Sequence, residues 1–180
     1  ASGASRFDVV DAYDASLTRS TPTALSRARA DFSATTIDNY ALFAGGNYYN
    51  YSIAPTNVVD AYNTSLTRST PTVLSQATYG LAATTVGNYA LLGGGESAVV
   101  DAYNASLTRS TPTALSQARA RIAATTIGDY AIFAGGASGA MFAVVDAYNT
   151  SLTRSTPTAL SQARGYSAAT TIGNYALVAG

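Results

Sequence analysis

Four residue types are missing from this chain, and their absence removes several kinds of chemistry at once. The sequence contains no Cys, His, Trp or Lys, so all ten basic residues are Arg. Without thiol or imidazole side chains, it offers no zinc or copper site of the ordinary kind, no thiol nucleophile and no imidazole base. We therefore expect no metal and no cofactor. The lack of Cys excludes a disulfide scaffold but fits either side of a membrane, so localisation stays open, an extracellular or cell-surface site included.

The balance of charge and hydropathy argues against two further classes of partner. Net charge is zero and the pI is about 6.4, which gives no electrostatic basis for binding nucleic acid or an anionic membrane. No apolar run approaches the roughly 18 residues that cross a bilayer, so we expect no membrane insertion. The first residues, Ala-Ser-Gly-Ala-Ser, lack a charged region followed by an apolar one, and no signal peptide is expected there.

What the chain has in abundance is repetition. Residues 9–23, Val-Val-Asp-Ala-Tyr-Asp-Ala-Ser-Leu-Thr-Arg-Ser-Thr-Pro-Thr, return almost unchanged from positions 58, 99 and 144. The interval from the Asp of each copy to a Gly of the closing glycine run is 34 residues every time, whereas the Asp-to-Asp spacings are 49, 41 and 45. A unit of constant length therefore alternates with a connection of variable length.

Within each unit, the pattern predicts four short strands. Residues 9–13 are β-branched and aromatic and run into a turn at residues 14–16, and residues 17–21 form a second strand that ends at Pro22. Residues 34–37 and 40–44 are predicted to form a hairpin about the turn Asp38-Asn39, which is Gly-Asn or Gly-Asp in the other copies. A short helical turn over the Thr-Pro-Thr-Ala-Leu-Ser segment remains an alternative, because Thr before Pro can begin a helix.

Residues 118–136, Ala-Arg-Ala-Arg-Ile-Ala-Ala-Thr-Thr-Ile-Gly-Asp-Tyr-Ala-Ile-Phe-Ala-Gly-Gly, resemble the kelch repeat. That family shows a small-residue strand, a Gly turn, four apolar residues and a double glycine. Its Tyr-Asp or Tyr-Asn step is matched at Tyr13, Tyr62, Tyr103 and Tyr148. The chain differs about six residues beyond this Tyr, where kelch repeats carry Trp and this chain has Arg.

The resemblance covers essentially all 180 residues and implies an all-β fold, a β-propeller of four kelch-like four-stranded blades. Residues 1–180 would form a single domain, with units beginning near positions 9, 58, 99 and 144. In this register the chain starts with the outer two strands of one blade and ends with the inner two strands of another. We expect residues 168–180 to pair with residues 9–21 and close the ring of a monomer. The alternative is a homodimer that completes an eight-bladed ring.

The charged residues of the framework are predicted to be structural. An Asp and an Arg recur at a spacing of eight in every copy, which suggests a repeated ion pair: Asp11 with Arg19, Asp60 with Arg68, Asp101 with Arg109, and Asp146 with Arg154. One Asp per blade, spread around a ring, does not provide the close carboxylate pair of a glycosidase, so no catalytic residue is expected. A second Arg, at positions 29, 119 and 164, is replaced by Thr78 in the second copy and suggests either blade-to-blade hydrogen bonding or an acidic ligand.

The copies differ in two places, and these are the predicted binding segments. One is the triplet before the third strand; the other is the connection after the glycines, and in a four-stranded meander both emerge on one face. Eight of the 13 Tyr belong to the framework, and the other five fall in variable segments, where Tyr offers rigid contact area at small entropic cost. The predicted ligand-binding residues are Asp31, Phe32, Tyr48, Tyr49, Tyr51, Tyr79, Glu96, Arg121, Met141, Phe142 and Tyr166.

The function predicted from these observations is non-enzymatic recognition of a protein or glycan through the variable loops. Kelch propellers are mostly interaction modules, so the resemblance implies the same class. Two alternatives stay open: a structural or recently amplified repeat scaffold without a ligand of its own, and a glycan-active enzyme.

Overall fold

The computed structural model describes residues 6–50 and 52–180 and consists of antiparallel strands joined by turns. Tyr51, one of the predicted binding residues, lies outside the described residues. No helix is found in the described part of the chain, and so none that is long and apolar enough to span a membrane. The all-β prediction is confirmed, and the short helical alternative for the Thr-Pro-Thr-Ala-Leu-Ser segment is wrong because that segment is irregular, with isolated bends.

Three four-stranded antiparallel sheets, here called blades, account for most of the strands. Blade 1 contains β3 (Ser33–Ile37), β4 (Tyr40–Ala44), β7 (Val59–Asn63) and β8 (Arg68–Ser69). Blade 2 contains β9 (Leu81–Val86), β10 (Tyr89–Gly94), β11 (Val100–Tyr103) and β12 (Arg109–Ser110). Blade 3 contains β13 (Ala123–Ile127), β14 (Tyr130–Ala134), β17 (Val145–Asn149) and β18 (Arg154–Ser155). In each blade, the strands pair in the order in which they occur along the chain.

Four two-stranded sheets complete the fold. The N-terminal half-blade is the outer hairpin of β1 (Ala12–Tyr13) and β2 (Arg19–Ser20), and the C-terminal half-blade is the inner hairpin of β19 (Ala168–Ile172) and β20 (Tyr175–Ala179). Two small hairpins lie in the variable connections: β5 (Asn47–Asn50) with β6 (Ser52–Pro55), and β15 (Ala137–Ser138) with β16 (Ala140–Met141). The remaining connection, around Glu96, is too short for a hairpin.

The inner hairpins follow the predicted turn chemistry. Ile37 pairs with Tyr40 across the two-residue turn, whose first residue is Asp38 in blade 1 (φ 48°) and Gly in the other copies. Asp and Gly tolerate this left-handed conformation better than other residues do, which explains the turn signal in the sequence. The second strand of the hairpin is apolar because neighbouring structure covers both of its faces: Leu42 and Ala44 are fully buried.

The second outer strand is shorter than predicted. Residues 17–21 were expected to form a strand, but β2 contains only Arg19 and Ser20. Leu17 belongs instead to the turn, with φ at 60°, and its backbone N–H donates to the Asp14 carbonyl at 2.9 Å. The Asp14 carboxylate also accepts the N–H groups of Ser16 and Thr18, so that side chain holds the whole turn. The same left-handed Leu recurs in the other copies, at Leu66, Leu107 and Leu152.

The hydrophobic core lies between adjacent blades. One cluster joins blades 1 and 2 through Leu42, Leu92 and Tyr103, and a second joins blades 2 and 3 through Leu91 and Phe133. The innermost strands lie against one another in sequence, β3 with β9, β9 with β13, and β13 with β19. Stacking of successive blades therefore buries the apolar faces that a single blade leaves open.

The expected closure of the ring does not form. The N-terminal half-blade pairs only within itself, the C-terminal half-blade pairs only within itself, and no ladder joins β1 to β20. No contact comparable to the other inner-strand contacts joins β19 to β3 in the described residues. The repeated blade-to-blade packing thus carries the chain through an arc whose two ends do not meet. The prediction of pairing between residues 168–180 and 9–21 is wrong for this chain conformation.

Candidate ligand-binding face

The four variable triplets, one from each copy, meet around one cavity of about 400 Å³. The triplets occupy residues 30–32, 79–81, 120–122 and 165–167, each just before or at the start of an innermost strand. Because the innermost strands lie side by side, the segments that precede them converge on one face of the arc. The cavity is lined by Asp31, Phe32, Tyr79, Gly80, Leu81, Arg121, Ile122, Tyr166 and Ser167.

The middle residue of every triplet has a left-handed backbone. The φ angles are 55° at Asp31, 68° at Gly80, 56° at Arg121 and 62° at Tyr166. Gly adopts this conformation readily, whereas Arg and Tyr adopt it at a cost of about 1–2 kcal/mol. The three non-glycine residues are therefore held in a strained conformation at the cavity, and such strain is more common at functional sites than elsewhere.

Backbone hydrogen bonds link these middle residues into a chain. The Gly80 N–H donates to the Asp31 carbonyl at 3.0 Å, the Arg121 N–H to the Gly80 carbonyl at 2.9 Å, and the Tyr166 N–H to the Arg121 carbonyl at 3.1 Å. Each bond crosses from one repeat to the next, so the position of a triplet depends on its neighbour. The floor of the cavity is consequently a fixed part of the framework, although its side chains vary.

The cavity combines aromatic surface with both signs of charge. The Arg121 guanidinium lies over the Tyr166 ring at 4.5 Å from its centroid. Phe32 packs edge-on against Phe43 with ring centroids 6.1 Å apart. Asp31 is the acidic member of the lining, and one of its oxygens accepts a hydrogen bond from the Asn47 side-chain amide at 2.6 Å. Polar groups that can donate and accept therefore stand beside aromatic faces.

A second recess, of about 450 Å³, lies beside the β5–β6 hairpin. It is lined by Arg6, Arg27, Ala28, Tyr48 and Tyr49, and the Arg27 guanidinium stands 4.2 Å from the Tyr48 ring centroid. This recess is more open than the triplet cavity, and Tyr49 in its lining has 58% of its surface exposed. The predicted binding residues thus fall into two separate groups.

Buried Asn47 connects the two groups. Its backbone pairs with Ala30 in both directions, at 2.9 and 2.8 Å, which ties the hairpin to the first triplet. Its side-chain oxygen accepts two hydrogen bonds from Arg6, at 2.9 and 2.7 Å, and its amide donates to Asp31. In the connection that contains the β15–β16 hairpin, Ala137 makes the same backbone pairing with Ala120 but has no polar side chain.

The remaining predicted residues do not join either recess. Glu96 lies exposed in the short connection of the second copy, with φ at 65°. Met141 is 54% exposed on the β15–β16 hairpin, and the half-buried Phe142 follows it. Prediction from the sequence treated these residues as one face together with the triplets, but in the structure they line neither recess.

Several lining residues were missed by the sequence analysis. Arg27 carried a signal that was not used, because the other copies have Gln at the equivalent position. Arg6 precedes the first unit, in a segment that corresponds to the variable connections, but it was not selected. Asn47 carried a signal: a polar residue stands where the third copy has Ala137. Gly80, Leu81, Ile122 and Ser167 belong to the triplets but were passed over in favour of larger polar and aromatic neighbours.

Each framework Asp pairs with the Arg eight residues later. The nitrogen-to-oxygen distances are 2.8 Å at Asp11, 2.9 Å at Asp60, 2.8 Å at Asp101 and 2.8 Å at Asp146. Asp60 and Asp146 each bind a second, fully buried Arg at 2.7 Å, Arg29 and Arg119 respectively. These two Arg hold adjacent parts of the framework together and are not available to an acidic ligand.

Burial alone would raise the pKa of the Asp60 carboxyl. Hydrogen bonds from Arg29, Ser26 and Arg68 outweigh that effect and hold the pKa below its usual value. At Asp146, burial acts in the same way and is outweighed by hydrogen bonds from Arg154, Arg119 and Ser116, so that this pKa is also lowered. Both carboxylates therefore stay ionised inside the protein, as structural ion triads require.

No group of three or more Asp or Glu side chains that could hold a metal ion occurs in residues 6–50 and 52–180.

Comparison with known proteins identifies the fold but not the family. No protein-family model matches the chain, and no curated protein matches it either. Among solved structures, the chain is similar to the structure of YjhT, a kelch-repeat protein, with a TM-score of 0.68 and 13% sequence identity. The match covers 89% of this chain and 68% of the YjhT chain. The fold is therefore a kelch-like β-propeller repeat fold, and the four repeats superpose on part of a longer chain.

Proposed function

We propose that this protein is a non-enzymatic binding module that recognises a glycan in the triplet cavity. The observation that carries the proposal is the convergence of the four variable triplets on one cavity, while the framework around them is nearly identical in every copy. A surface that differs from copy to copy while its scaffold is repeated is the expected arrangement for a recognition site.

The chemistry of the lining suits a sugar. A sugar ring presents an apolar C–H face and a rim of hydroxyl groups, so it needs aromatic surface beside paired donors and acceptors. Phe32, Tyr79 and Tyr166 supply the aromatic surface, Arg121 supplies donors and Asp31 supplies acceptors. A cavity of about 400 Å³ lies within the range of small-ligand sites, and its concave form favours a compact ligand over a flat protein surface.

Binding is favoured over hydrolysis by the number of carboxylates at the cavity. Asp31 is the one carboxylate in the lining, and its hydrogen bond to Asn47 already engages one of its oxygens. Glycoside hydrolysis generally uses two carboxylates on opposite sides of the scissile bond. The arrangement around this cavity therefore supports recognition without bond cleavage.

A second candidate function is recognition of a protein partner by the hairpins. Tyr49, Ile53 and Met141 are 58%, 60% and 54% exposed on the β5–β6 and β15–β16 hairpins. Aromatic and Met side chains are enriched at protein interfaces, and Arg6 and Arg27 beside the Tyr pair add further contact groups. This surface is independent of the triplet cavity, so the two candidates can be tested separately.

The test begins with a glycan array probed with the labelled protein, followed by calorimetry with the glycan that gives the strongest signal. Replacing Tyr79 or Tyr166 with Ala is expected to raise the Kd about tenfold, because each removes one aromatic face worth about 1.4 kcal/mol. Tyr49→Ala is the matched control, since it removes an exposed Tyr outside the cavity.

The outcomes separate the candidates. Loss of glycan binding in both cavity variants, with unchanged binding in Tyr49→Ala, supports the proposal. Glycan binding that survives both cavity substitutions contradicts it. If no glycan binds and Tyr49→Ala abolishes capture of a protein ligand, the hairpin surface is the functional one. If neither class binds, the scaffold interpretation replaces both.

A further inference from the structure

The recess beside the β5–β6 hairpin contains two Arg side chains and no acidic one among its described lining residues. Framework Asp residues pair with the Arg at positions 19, 29, 68, 109, 119 and 154. Arg27 forms no such ion pair within residues 6–50 and 52–180, and its guanidinium lies over the Tyr48 ring at 4.2 Å from the centroid. This cation therefore stacks on an aromatic face without a carboxylate beside it.

The second Arg of the recess is held in place by buried Asn47. The Asn47 side-chain oxygen accepts hydrogen bonds from Nε and Nη2 of Arg6 at 2.9 and 2.7 Å, and Asn47 is only 1% exposed. A guanidinium that is already oriented loses less conformational freedom when a ligand binds. Because Arg27 is oriented by Tyr48 and Arg6 by Asn47, both cations are positioned before a ligand arrives.

The side chains that build this recess depart from the repeat. The other three copies all have Gln at the position of Arg27. In the third copy, where a hairpin also follows the glycine run, Ala and Ser stand in place of Asn47 and Tyr48. The position of Arg6, counted back from the repeated Asp, is occupied there by Glu96. These departures meet at one place in one copy, which indicates a feature of that copy and not a requirement of the blade.

The third copy provides an internal comparison for the charge of the recess. Its hairpin pairs with the first residue of the triplet as the hairpin of the first copy does, through Ala137 and Ala120. At this place it carries Glu96 and Gln117 where the first copy carries two Arg. Since the same backbone pairing forms with either charge, the positive charge of the first copy is not needed to hold the hairpin.

The framework shows how this protein binds an oxyanion with two guanidinium groups. The Asp60 carboxylate accepts from Arg29 at 2.7 Å and from Arg68 at 2.9 Å. A carboxylate or sulfate on a ligand presents acceptor oxygens of the same kind, and hydrogen bonds from Arg to such groups are stronger than neutral ones. The rings of Tyr48 and Tyr49 add aromatic surface beside the two Arg, which suits an oxyanion carried on a sugar ring.

A single side-chain amide separates this recess from the triplet cavity. Asn47 accepts from Arg6 on the recess side and donates to Asp31, a cavity residue, at 2.6 Å. Ala28 of the recess lies three residues before Asp31, a span of about 11 Å at most for extended backbone. A glycan of a few sugar residues can therefore reach from the cavity into the recess.

We propose, on the basis of the glycan-binding function stated above, that the recess binds an oxyanion substituent of the glycan, a sulfate ester or a carboxylate, and that this protein selects acidic glycans over neutral ones. Arg27 donates to the oxyanion, and Arg6 supplies the second positive charge. Tyr48 and Asn47 are positioning residues, because each orients one of the two Arg.

Matched polysaccharides test the selection. Dextran sulfate against dextran tests the sulfate ester, and polygalacturonate against its methyl ester tests the carboxylate. Calorimetry at about 0.15 M salt, where attraction between exposed charges is screened beyond about 8 Å, gives the Kd of each. The acidic member of at least one pair should bind at least tenfold more tightly than its neutral counterpart. Equal affinity within both pairs, or binding of none of the four probes, overturns the proposal.

Arg27→Gln introduces the residue that the other three copies carry, so this variant is expected to fold. It should raise the Kd for the acidic probe about tenfold and leave the Kd for the neutral probe unchanged, because a hydrogen bond to a charged group is lost. Arg164→Gln is the matched control, since it removes the same charge from an Arg that bonds no carboxylate and does not line the recess. Equal effects of the two substitutions indicate general attraction to positive charge and contradict a site.

Tyr48→Ser introduces the residue of the third copy and leaves every charge in place. It should raise the Kd for the acidic probe about threefold, because Arg27 loses the ring that orients it. Tyr49→Ala should keep the preference for the acidic probe, since the groups that orient both Arg remain. An unchanged Kd in Tyr48→Ser contradicts the positioning role of that ring.

Variants of the two recesses separate this inference from the function on which it depends, once circular dichroism has shown that each variant is folded. Tyr79→Ala should weaken binding of acidic and neutral probes alike, because both place a sugar in the triplet cavity. If it does so while Arg27→Gln changes neither Kd, the glycan-binding function stands and the oxyanion site is overturned. If Arg27→Gln weakens the acidic probe while Tyr79→Ala affects no probe, the oxyanion site is upheld and the proposed role of the cavity fails.

Discussion

The sharpest prediction concerns Arg119, which is fully buried and forms four hydrogen bonds. Its guanidinium donates to the Asp146 carboxylate at 2.7 Å and to the backbone carbonyls of Gly135, Phe133 and Gln117 at 2.7, 3.2 and 3.1 Å. Replacement by Ala removes these four hydrogen bonds together with the packed side chain. Breaking one side of a buried pair typically costs about 3–5 kcal/mol of unfolding free energy.

The second copy indicates where in that range the cost should fall. There Thr78 stands in place of the Arg, and Asp101 is held by Arg109, Thr111 and both the backbone N–H and the hydroxyl of Ser75. After Arg119→Ala, Asp146 would keep a similar set of donors from Arg154 and Ser116, so its charge would remain compensated. We therefore expect Arg119→Ala to lower the unfolding free energy by about 3 kcal/mol, the lower end of this range.

Urea denaturation followed by far-UV circular dichroism measures this difference, and Tyr fluorescence provides a second probe because the chain has no Trp. Arg164→Ala is the matched control, since Arg164 occupies the same position in the fourth copy but is half-exposed and bonds no carboxylate. The control should change stability by less than about 0.5 kcal/mol.

A double-mutant cycle with Asp146→Asn isolates the interaction between the two side chains. The double variant should be more stable than the sum of the single effects predicts, with a coupling of about 1–3 kcal/mol. The reasoning fails if Arg119→Ala costs no more than Arg164→Ala, or if the two substitutions are simply additive.

Three further predictions concern pH, a hydrogen bond and two glycines. Stability should fall as pH drops below about 4, because the pKa values of Asp60 and Asp146 are lowered and folding therefore favours their ionised forms. It should also fall above about pH 10, because burial raises the pKa of Tyr148 and folding favours its neutral form. Thermal melts across pH should show a plateau of Tm between these limits, and a Tm that stays constant through either limit would contradict the assignment. Tyr148→Phe should lower the unfolding free energy measured by urea denaturation by about 1 kcal/mol, because it removes a 2.7 Å hydrogen bond to a backbone carbonyl of the preceding copy. An unchanged unfolding free energy would mean that this hydrogen bond does not stabilise the fold. Gly139→Ala should cost about 1–2 kcal/mol of unfolding free energy, because the residue has a left-handed backbone. Gly46→Ala should cost more, because its backbone is also left-handed and its Cβ would lie 2.6 Å from a carbonyl oxygen. Equal costs would refute the steric contribution at position 46.

Much of the local structure was predictable because its causes are local. The two-residue turns between β3 and β4 and their equivalents follow from Asp or Gly at the position that takes a positive φ. The Asp–Arg pairs of the outer hairpins were predicted from a spacing of eight, which places the two residues on facing strands. Leu17 was misplaced because a Leu with a left-handed backbone carries no signal of its own; the Asp14 side chain imposes that turn.

The candidate site was predictable only in part. Variation between copies pointed to Asp31, Tyr79, Arg121 and Tyr166, and these residues do line one cavity. The same reasoning grouped Tyr48 and Tyr49 with them, although these side chains lie in a separate recess with Arg6 and Arg27. Sequence variation shows that a segment differs between copies, but it does not show which segments face each other.

The sequence by itself determined the repeat, the four-strand unit, the kelch-like blade and the segments that vary, because each depends on residues within one unit and on turn and strand preferences of short range. Only the tertiary structure decided that the triplets share a cavity, that Arg29 and Arg119 are buried between parts of the framework, and that the two half-blades stay apart. These features depend on how each blade packs against the next. A small change in that packing accumulates over four repeats, and no single unit of the sequence encodes the sum.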